Sequence, residues 1–274
     1  MQTNEKFLNY VNKDKEFTQQ NNETNLEDAN GRAIWALGYL ISKKNLIPLE
    51  MIETAKDLID FSIENIRNMF SSRAMAFNIK GLYYYNQKYN STLITTLIET
   101  LADRLVAMYN YESSNNWNWF ESYLTYANSV LSEAILFAWL AVKKPCYLDI
   151  AKKSFDFLLS QTFNKNEIKV IPNKGWLLKG KEREYYGEQP IDVSYTIMAL
   201  DTFYSVFKDE EEYLNKLKIA FNWFLGKNHL KQIIYNPCTG GCYDGLEEHQ
   251  VNLNQGAEST VSYLMARLVI KKLS

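Results

Sequence analysis

Apolar segments of two kinds alternate along the chain, and that alternation leaves few folds open. The first kind is amphipathic: Met51, Ile52, Ala55, Leu58, Ile59, Ile63 and Ile66 recur at helical spacing, as do Ile94, Leu97, Ile98, Leu101, Leu105 and Met108. Leu148, Ala151, Phe155 and Leu158 repeat the pattern, as do Leu214, Leu217, Phe221, Phe224 and Leu225, and residues 3–17 form a weaker member. The second kind is apolar nearly all round, at 33–41, 74–85, 130–142, 191–204 and 259–270. A helix apolar on every face has to be enclosed by other helices. The chain is therefore expected to be all-α, with nine alternating helices or ten with the N-terminal one, as an α/α toroid: enclosed inner helices within a ring of half-exposed outer ones. Short turn-rich stretches such as 167–171 are strand candidates, and nothing supports a main sheet.

At 274 residues, 46% of them hydrophobic, the chain can bury one sizeable core, as one large domain or two small ones. One domain over 1–274 is expected, with 1–26 peripheral to it. A net charge of −2 gives no general pull toward nucleic acid or an anionic membrane. No apolar run approaches the roughly 20 residues of a membrane span, and the first residues lack a signal-peptide core, so a cytoplasmic protein is expected. Three cysteines argue against a disulfide framework. Cys238 and Cys242 with His229 or His249 make only a weak zinc signal, so neither metal nor other cofactor is expected.

The connections are unequal. Those leaving an enclosed segment are short, around 44–48, 89–90, 144–145 and 208–209, whereas three of those leading into one are long, at about 112–128, 165–189 and 227–254. Long ordered loops in a compact domain usually carry function. In an alternating toroid all of them lie on one rim. They bring carboxylates, amides, arginines and aromatics there: Asp28 and Arg32, Arg73, Trp117 through Asn128, Trp176, Gln189 and Asp192, and the stretch 235–262 with Tyr243, Asp244, Asn254, Gln255 and Glu258.

Helix capping explains several of these singly. Asn30, Ser71 and Asn254 suit N-caps, Pro190 suits a first helical position, and Asp192 or Glu258 near a helix start complements the macrodipole. Capping explains less well why Trp117, Trp119, Phe120, Trp176, Tyr185, Tyr186 and Tyr243 crowd the same loops in a chain with 14% aromatics, and some of them are expected to pack those loops together. Flat apolar faces beside amides and carboxylates suit a polyhydroxylated ligand, so Trp117, Trp119, Tyr126, Asn128, Trp176, Gln189, Tyr243, Asn254 and Gln255 are substrate-binding candidates.

The strings Gly-Arg-Ala-x-Trp-Ala-Leu-Gly at 31–38, Ser-Arg-Ala-x-Ala-Phe at 72–77, Trp-Phe-Glu at 119–121, Leu-Thr-Tyr-x-Asn at 124–128, Glu-Gln-Pro at 188–190 and Asn-Gln-Gly-Ala-Glu-Ser-Thr at 254–260 resemble the six-hairpin-glycosidase-like α/α toroid module. That module occurs alone or C-terminal to bacterial glycosyltransferases. The resemblance implies a carbohydrate ligand, a glycosyltransferase as a partner, and a ring that is either six-hairpin or incomplete, since about five hairpins are visible. It also leads one to expect an aspartate between Tyr126 and Asn128, where this chain has Ala127.

Glycoside hydrolysis needs one carboxyl holding a proton and one ionised as base or nucleophile. Glu121 follows Trp117, Trp119 and Phe120, and apolar neighbours disfavour a charge, which makes it the general-acid candidate. Glu258, at a helix start that favours an anion, suits the base. Asp28, Asp192 and Asp244 are reserves, and toroid glycosidases favour inversion by resemblance. Arg32 and Arg73 are either a clamp for an acidic sugar such as a uronate or salt-bridge partners beneath the rim. No phosphate-binding glycine loop or nucleophile elbow is present. The rival from another class is a non-catalytic carbohydrate-binding or scaffold module, which Ala127 favours.

Overall fold

The computed structural model describes residues 6–273 and the backbone of residues 2–3. In chain order the elements are β1 (Gln2–Thr3), β2 (Lys6–Phe7), α1 (Gln20–Glu23), α2 (Glu27–Ser42), α3 (Leu49–Phe61), α4 (Ile63–Arg67), α5 (Ser72–Tyr89) and α6 (Thr92–Glu112). There follow β3 (Tyr123–Leu124), α7 (Ser129–Val142), α8 (Pro145–Thr162), β4 (Leu177–Leu178), α9 (Pro190–Val206), α10 (Glu211–Phe224), β5 (Gly245–Leu246), β6 (Val251–Asn252) and α11 (Ala257–Leu273). The strands form three two-residue antiparallel pairs, β1–β2, β3–β4 and β5–β6. No helix among the described residues is long and apolar enough to cross a membrane.

Two compact units result, residues 1–108 with 134–151, and residues 109–133 with 152–274. In the first, α2 and α5 lie backbone to backbone. A Cβ on Gly38 would stand 2.0 Å from the Gly81 carbonyl oxygen, and one on Gly81 would stand 2.4 Å from that of Ile34. Around this contact Trp35 stacks on Phe77, and Tyr83 and Tyr84 meet Phe137 of α7. In the second unit Phe155 of α8 stacks on Phe203 of α9 and meets Tyr213 of α10, while Trp223 and Tyr263 pack on Phe224.

The middle enclosed segments behave as their sequence predicts: α5 is buried continuously over 72–82, α7 over 129–138 and α9 over 190–197. The first and last do not. α2 packs on α3 and α5 and buries one stripe, Asn30, Ile34 and Ile41, leaving Tyr39 exposed. α11 packs on α9 and α10, and Leu268 is 66% exposed. The 3–17 stretch is also corrected: residues 6–17 form no helix. The amide of Asn30 pairs with the backbone N–H and C=O of Phe7 (2.8 and 2.9 Å), and that of Asn21 takes the N–H groups of Asn9 and Tyr10 (both 2.9 Å). Side-chain amides thus offer the segment the bonds of a neighbouring strand, and the extended chain wins over a weak helix. The strand candidate at 167–171 reduces to one bridge, Phe163 to Ile168.

A repeated clasp joins helices within each unit. Tyr85 donates its hydroxyl to Asp60, itself paired with Lys56; Tyr147 donates to Asp103, paired with Lys144; and Tyr213 donates to Asp156, paired with Lys152, at O–O distances of 2.7, 2.6 and 2.7 Å. Burial works against the charge on Asp103, but the bonds from Lys144 and Tyr147 outweigh it and hold that carboxyl below its ordinary value. Tyr147→Phe and Tyr213→Phe are each expected to cost about 1.5 kcal/mol in urea unfolding at pH 7, as a charged acceptor loses its donor. Because Asp103 titrates lower when folded, its contribution is present above the unfolded carboxyl pKa and fades as pH falls through the depressed value. The deficit of Tyr147→Phe should accordingly shrink in acid; an equal deficit at pH 3 and pH 7 would disprove the linkage.

Candidate functional site

Three loop segments of the second unit converge on one polar cleft. The stretch 187–189 runs into α9 as an added strand: Glu188 and Leu246 of β5 exchange backbone hydrogen bonds at 3.0 and 2.9 Å. Gly187 makes this possible. Its φ of +102° is one that other residues rarely adopt, and a Cβ there would meet Asn173 Oδ1 at 2.6 Å. Pro190 then starts α9, with Gln189 as the extended residue before it. Opposite lies the start of α11, preceded by β6 and Asn254. The cleft holds about 300 Å3 and is lined by the carboxylate residues Glu188, Asp244, Glu247 and Glu258, together with Asn173, Gln189, Asn252 and Ser259.

These carboxylates have distinct settings. Asp244 accepts from the Gly256 N–H at 2.8 Å and from the Asn254 amide, and it also bonds Ser259. Burial opposes its charge, but Ser259, Asn254 and Gly256 together hold the carboxyl below its ordinary value. Asp244 therefore secures the start of α11 from twelve residues away, the part that capping logic assigns to Asn254. Gly256 is needed for that approach, since a Cβ would lie 2.9 Å from Asp244 Oδ1. Glu247 pairs with Lys174 at 2.5 Å. Glu258 stands exposed in the first turn of α11.

Glu188 is buried. Its Oε2 accepts from Trp223 Nε1 at 3.1 Å, and its Oε1 lies 3.6 Å from His229 Nδ1, an ion-pair distance beyond hydrogen-bond length. His229 Nε2 contacts the carbonyl oxygens of Glu247 and Glu248 at 2.9 and 3.2 Å. Carbonyls accept only, so Nε2 carries a hydrogen, and an acceptor Nδ1 would face a carboxylate. The Glu188 carboxylate accordingly raises the His229 pKa, burial opposes it, and the Glu247 carbonyl adds to the rise.

Of the residues singled out in the sequence, Gln189, Asp244 and Glu258 line the cleft. Asn254 bonds to Asp244, Gln255 accepts from the Thr239 hydroxyl at 2.5 Å, and Tyr243 accepts from Asn236 at 3.0 Å. Asp192, in the first turn of α9, accepts the Ala127 N–H at 2.6 Å, and Asn128 closes the same turn by bonding both backbone groups of Thr125. Ala127 has φ +50°, a conformation Asp, Asn and Gly adopt most readily, so the aspartate that the resemblance leads one to expect would suit this backbone. Alanine keeps the turn and removes the carboxylate. Trp117, Trp119 and Phe120 are buried, with Trp117 and Trp119 against Phe157, and Trp117 Nε1 donates to the Glu121 carbonyl at 2.8 Å. They hold their loop together, while Tyr126 and Trp176 are exposed.

In the first unit, Asp28 pairs with Arg32 at 2.8 Å and the Arg32 guanidinium sits 4.7 Å from the Phe77 ring, while buried Arg73 donates to Ser72. Asn30 lies inside α2 and caps nothing. Ser71 precedes α5 without a side-chain cap; its N–H and that of Phe70 go to Glu27 instead.

Glu188 and His229 were not legible as a pair, because 41 positions separate them and a third segment joins them, Leu246 pairing with Glu188 and the Glu247 and Glu248 carbonyls meeting His229. The available signal was a turn glycine, a carboxylate and a proline in succession at 187–190. Cys146, Cys238 and Cys242 are free thiols; burial, with Asp244 nearby, pushes that of Cys242 up to about 12, far from a thiolate ligand. No group of three metal-binding side chains occurs among the described residues.

No protein-family model matches the chain, and no curated protein matches it in sequence. Solved structures do match. A sugar epimerase from a ruminal bacterium gives a TM-score of 0.66 at 13% identity, over 96% of this chain and 75% of the other. An unsaturated glucuronyl hydrolase specific for heparin gives 0.61 at 14% identity, over 82% of this chain and 62% of the other, so the chain spans less than two thirds of that enzyme. A GH76 α-mannanase from Bacteroides thetaiotaomicron gives 0.59 at 12% identity, over 89% and 69%. The helical order and these likenesses define an α/α toroid. Likeness at such identity establishes the fold alone.

Proposed function

We propose that this protein is a carbohydrate-active enzyme of the glycoside hydrolase type, acting on a neutral or amino sugar by a two-carboxylate, inverting reaction. The observation that carries the reading is the cleft, where Glu188, Asp244, Glu247 and Glu258 gather from separate segments on a fold shared with sugar-processing enzymes. Such a lining repels a uronate and accepts hydroxyls or an ammonium group. The Arg32–Asp28 pair and the burial of Arg73 also leave less support for an acidic-sugar clamp. Glu258 takes the proton of the attacking water, and Glu121, which lies in the 112–128 loop outside the cleft's lining, gives a proton to the glycosidic oxygen of a substrate that extends from the cleft to that loop, as the bond to the anomeric carbon breaks. We read 1–274 as one domain, with 1–26 peripheral, acting in the cytoplasm, where its free thiols persist.

The second reading, a non-catalytic carbohydrate-binding module serving a glycosyltransferase, is favoured by Ala127 and by the paired state of Asp28. A glycan screen separates the two. Reducing-sugar release is expected from a neutral or amino oligosaccharide, falling about 100-fold or more in Glu121→Gln and in Glu258→Gln, with ligand-induced thermal shifts retained. Binding without turnover by the wild type selects the module, and preferential release from uronates overturns the substrate class.

A further inference from the structure

The ribbon of β3 and β4 presents an aromatic face that the cleft does not account for. Tyr123 pairs with Leu178 and Leu124 with Leu177. Alternation along the strands buries Leu124 and Leu177 and leaves Tyr123 37% and Leu178 46% exposed, and Trp176, just before β4, is 45% exposed. Tyr126, 38% exposed, follows in the turn closed by Asn128 and Asp192. Asp192 is three residues beyond Gln189, which lines the cleft, so the ribbon is tied to the cleft's own helix.

Trp176 is held in an unusual way. Its φ is +42°, directly after Gly175 at +89°, and a bulky residue in the left-handed region is strained. The surrounding loop imposes it. Asn173 N–H bonds the Gly187 carbonyl at 3.0 Å, closing the loop at its base. Lys179 ties it to the Glu112 carbonyl at 2.6 Å, and Arg183 donates to the carbonyls of Gln161, Lys169 and Val170. A loop tied at this many points, with Trp176 in the left-handed region, holds the backbone that carries the exposed indole.

We infer that Tyr123, Trp176 and Tyr126 form a stacking platform for further rings of a neutral oligosaccharide whose reacting end occupies the cleft; this rests on the carbohydrate reading above. Aromatic faces match the apolar faces of pyranose rings. A protein partner needs about 800 Å2 on each side, more than three partly exposed side chains offer.

The test measures affinity against chain length by calorimetry, for a neutral disaccharide and hexasaccharide of the type bound in the screen. The wild type is expected to gain about tenfold or more from the longer ligand. In Trp176→Ala/Tyr123→Ala that gain should disappear, and in Trp176→Phe, which keeps a stacking face, it should largely survive; melting temperatures verify folding. An undiminished gain in the folded double variant overturns the platform while leaving the cleft reading intact. Wild-type dimerisation that the double variant abolishes would assign the face to a second copy, overturning it as well. If the wild type binds no sugar of either length, the carbohydrate reading fails and the platform with it.

Discussion

Replacing Gly38 by alanine is expected to destabilise the protein by about 3 kcal/mol, and Gly81→Ala should act similarly. Helix propensity alone predicts the opposite sign, since glycine inside a helix costs about 1 kcal/mol relative to alanine. The contact decides. A methyl at Gly38 would be 2.0 Å from the Gly81 carbonyl oxygen and 2.7 Å from its carbon, and both belong to backbone that no rotamer change can move. Relief comes only from parting α2 and α5, which would also loosen the Trp35–Phe77 stack. Denaturant unfolding of the two variants measures the effect. A stabilised Gly38→Ala would show that the helices do not approach this closely.

The same pair of helices shows what was legible. Continuous apolarity identified α5, α7 and α9 as enclosed, because a helix with no polar face must find cover on all sides. For α2 and α11 the same apolarity misled: Leu268 tells nothing of whether a neighbour covers it, and in α11 none among the described residues does. The aromatics divide likewise. Trp119 and Trp176 both sit in long loops beside polar residues, yet one is fully buried and the other half exposed, because one loop folds onto Phe157 and the other is pinned outward. Of the carboxylates lining the cleft, Asp244 and Glu258 were visible in the sequence, but their partners were not. The Asp192 bond to Ala127 and the Asp244 bond to Gly256 join a carboxylate to a backbone N–H, and any residue but proline supplies such a donor, so the sequence does not mark them.

Glu188→Ala is expected to cost about 3 kcal/mol and, under the proposed hydrolase reading, to abolish turnover, whereas Glu188→Gln should chiefly remove a pH dependence. The alanine leaves Trp223 Nε1 without its acceptor and takes from the half-buried His229 the carboxylate that favours its protonation. Glu188 also pairs with Leu246 of β5 through its backbone, which the alanine keeps, and Asp244 lies next to that strand, so a shift of residue 188 after the loss of its side-chain bonds reaches the cleft. The pH dependence follows from the raised pKa of His229. Its stabilising contribution is complete below the ordinary imidazole value of about 6.5 and is lost as pH rises through the folded value. The wild type should therefore lose stability relative to Glu188→Gln as pH rises above the ordinary imidazole value, since the neutral amide cannot favour the imidazolium. Urea midpoints taken across that window make the comparison. Parallel profiles for the two proteins would show that His229 is not held as a cation by Glu188, and that the cleft owes its shape to the backbone pairing with β5 alone.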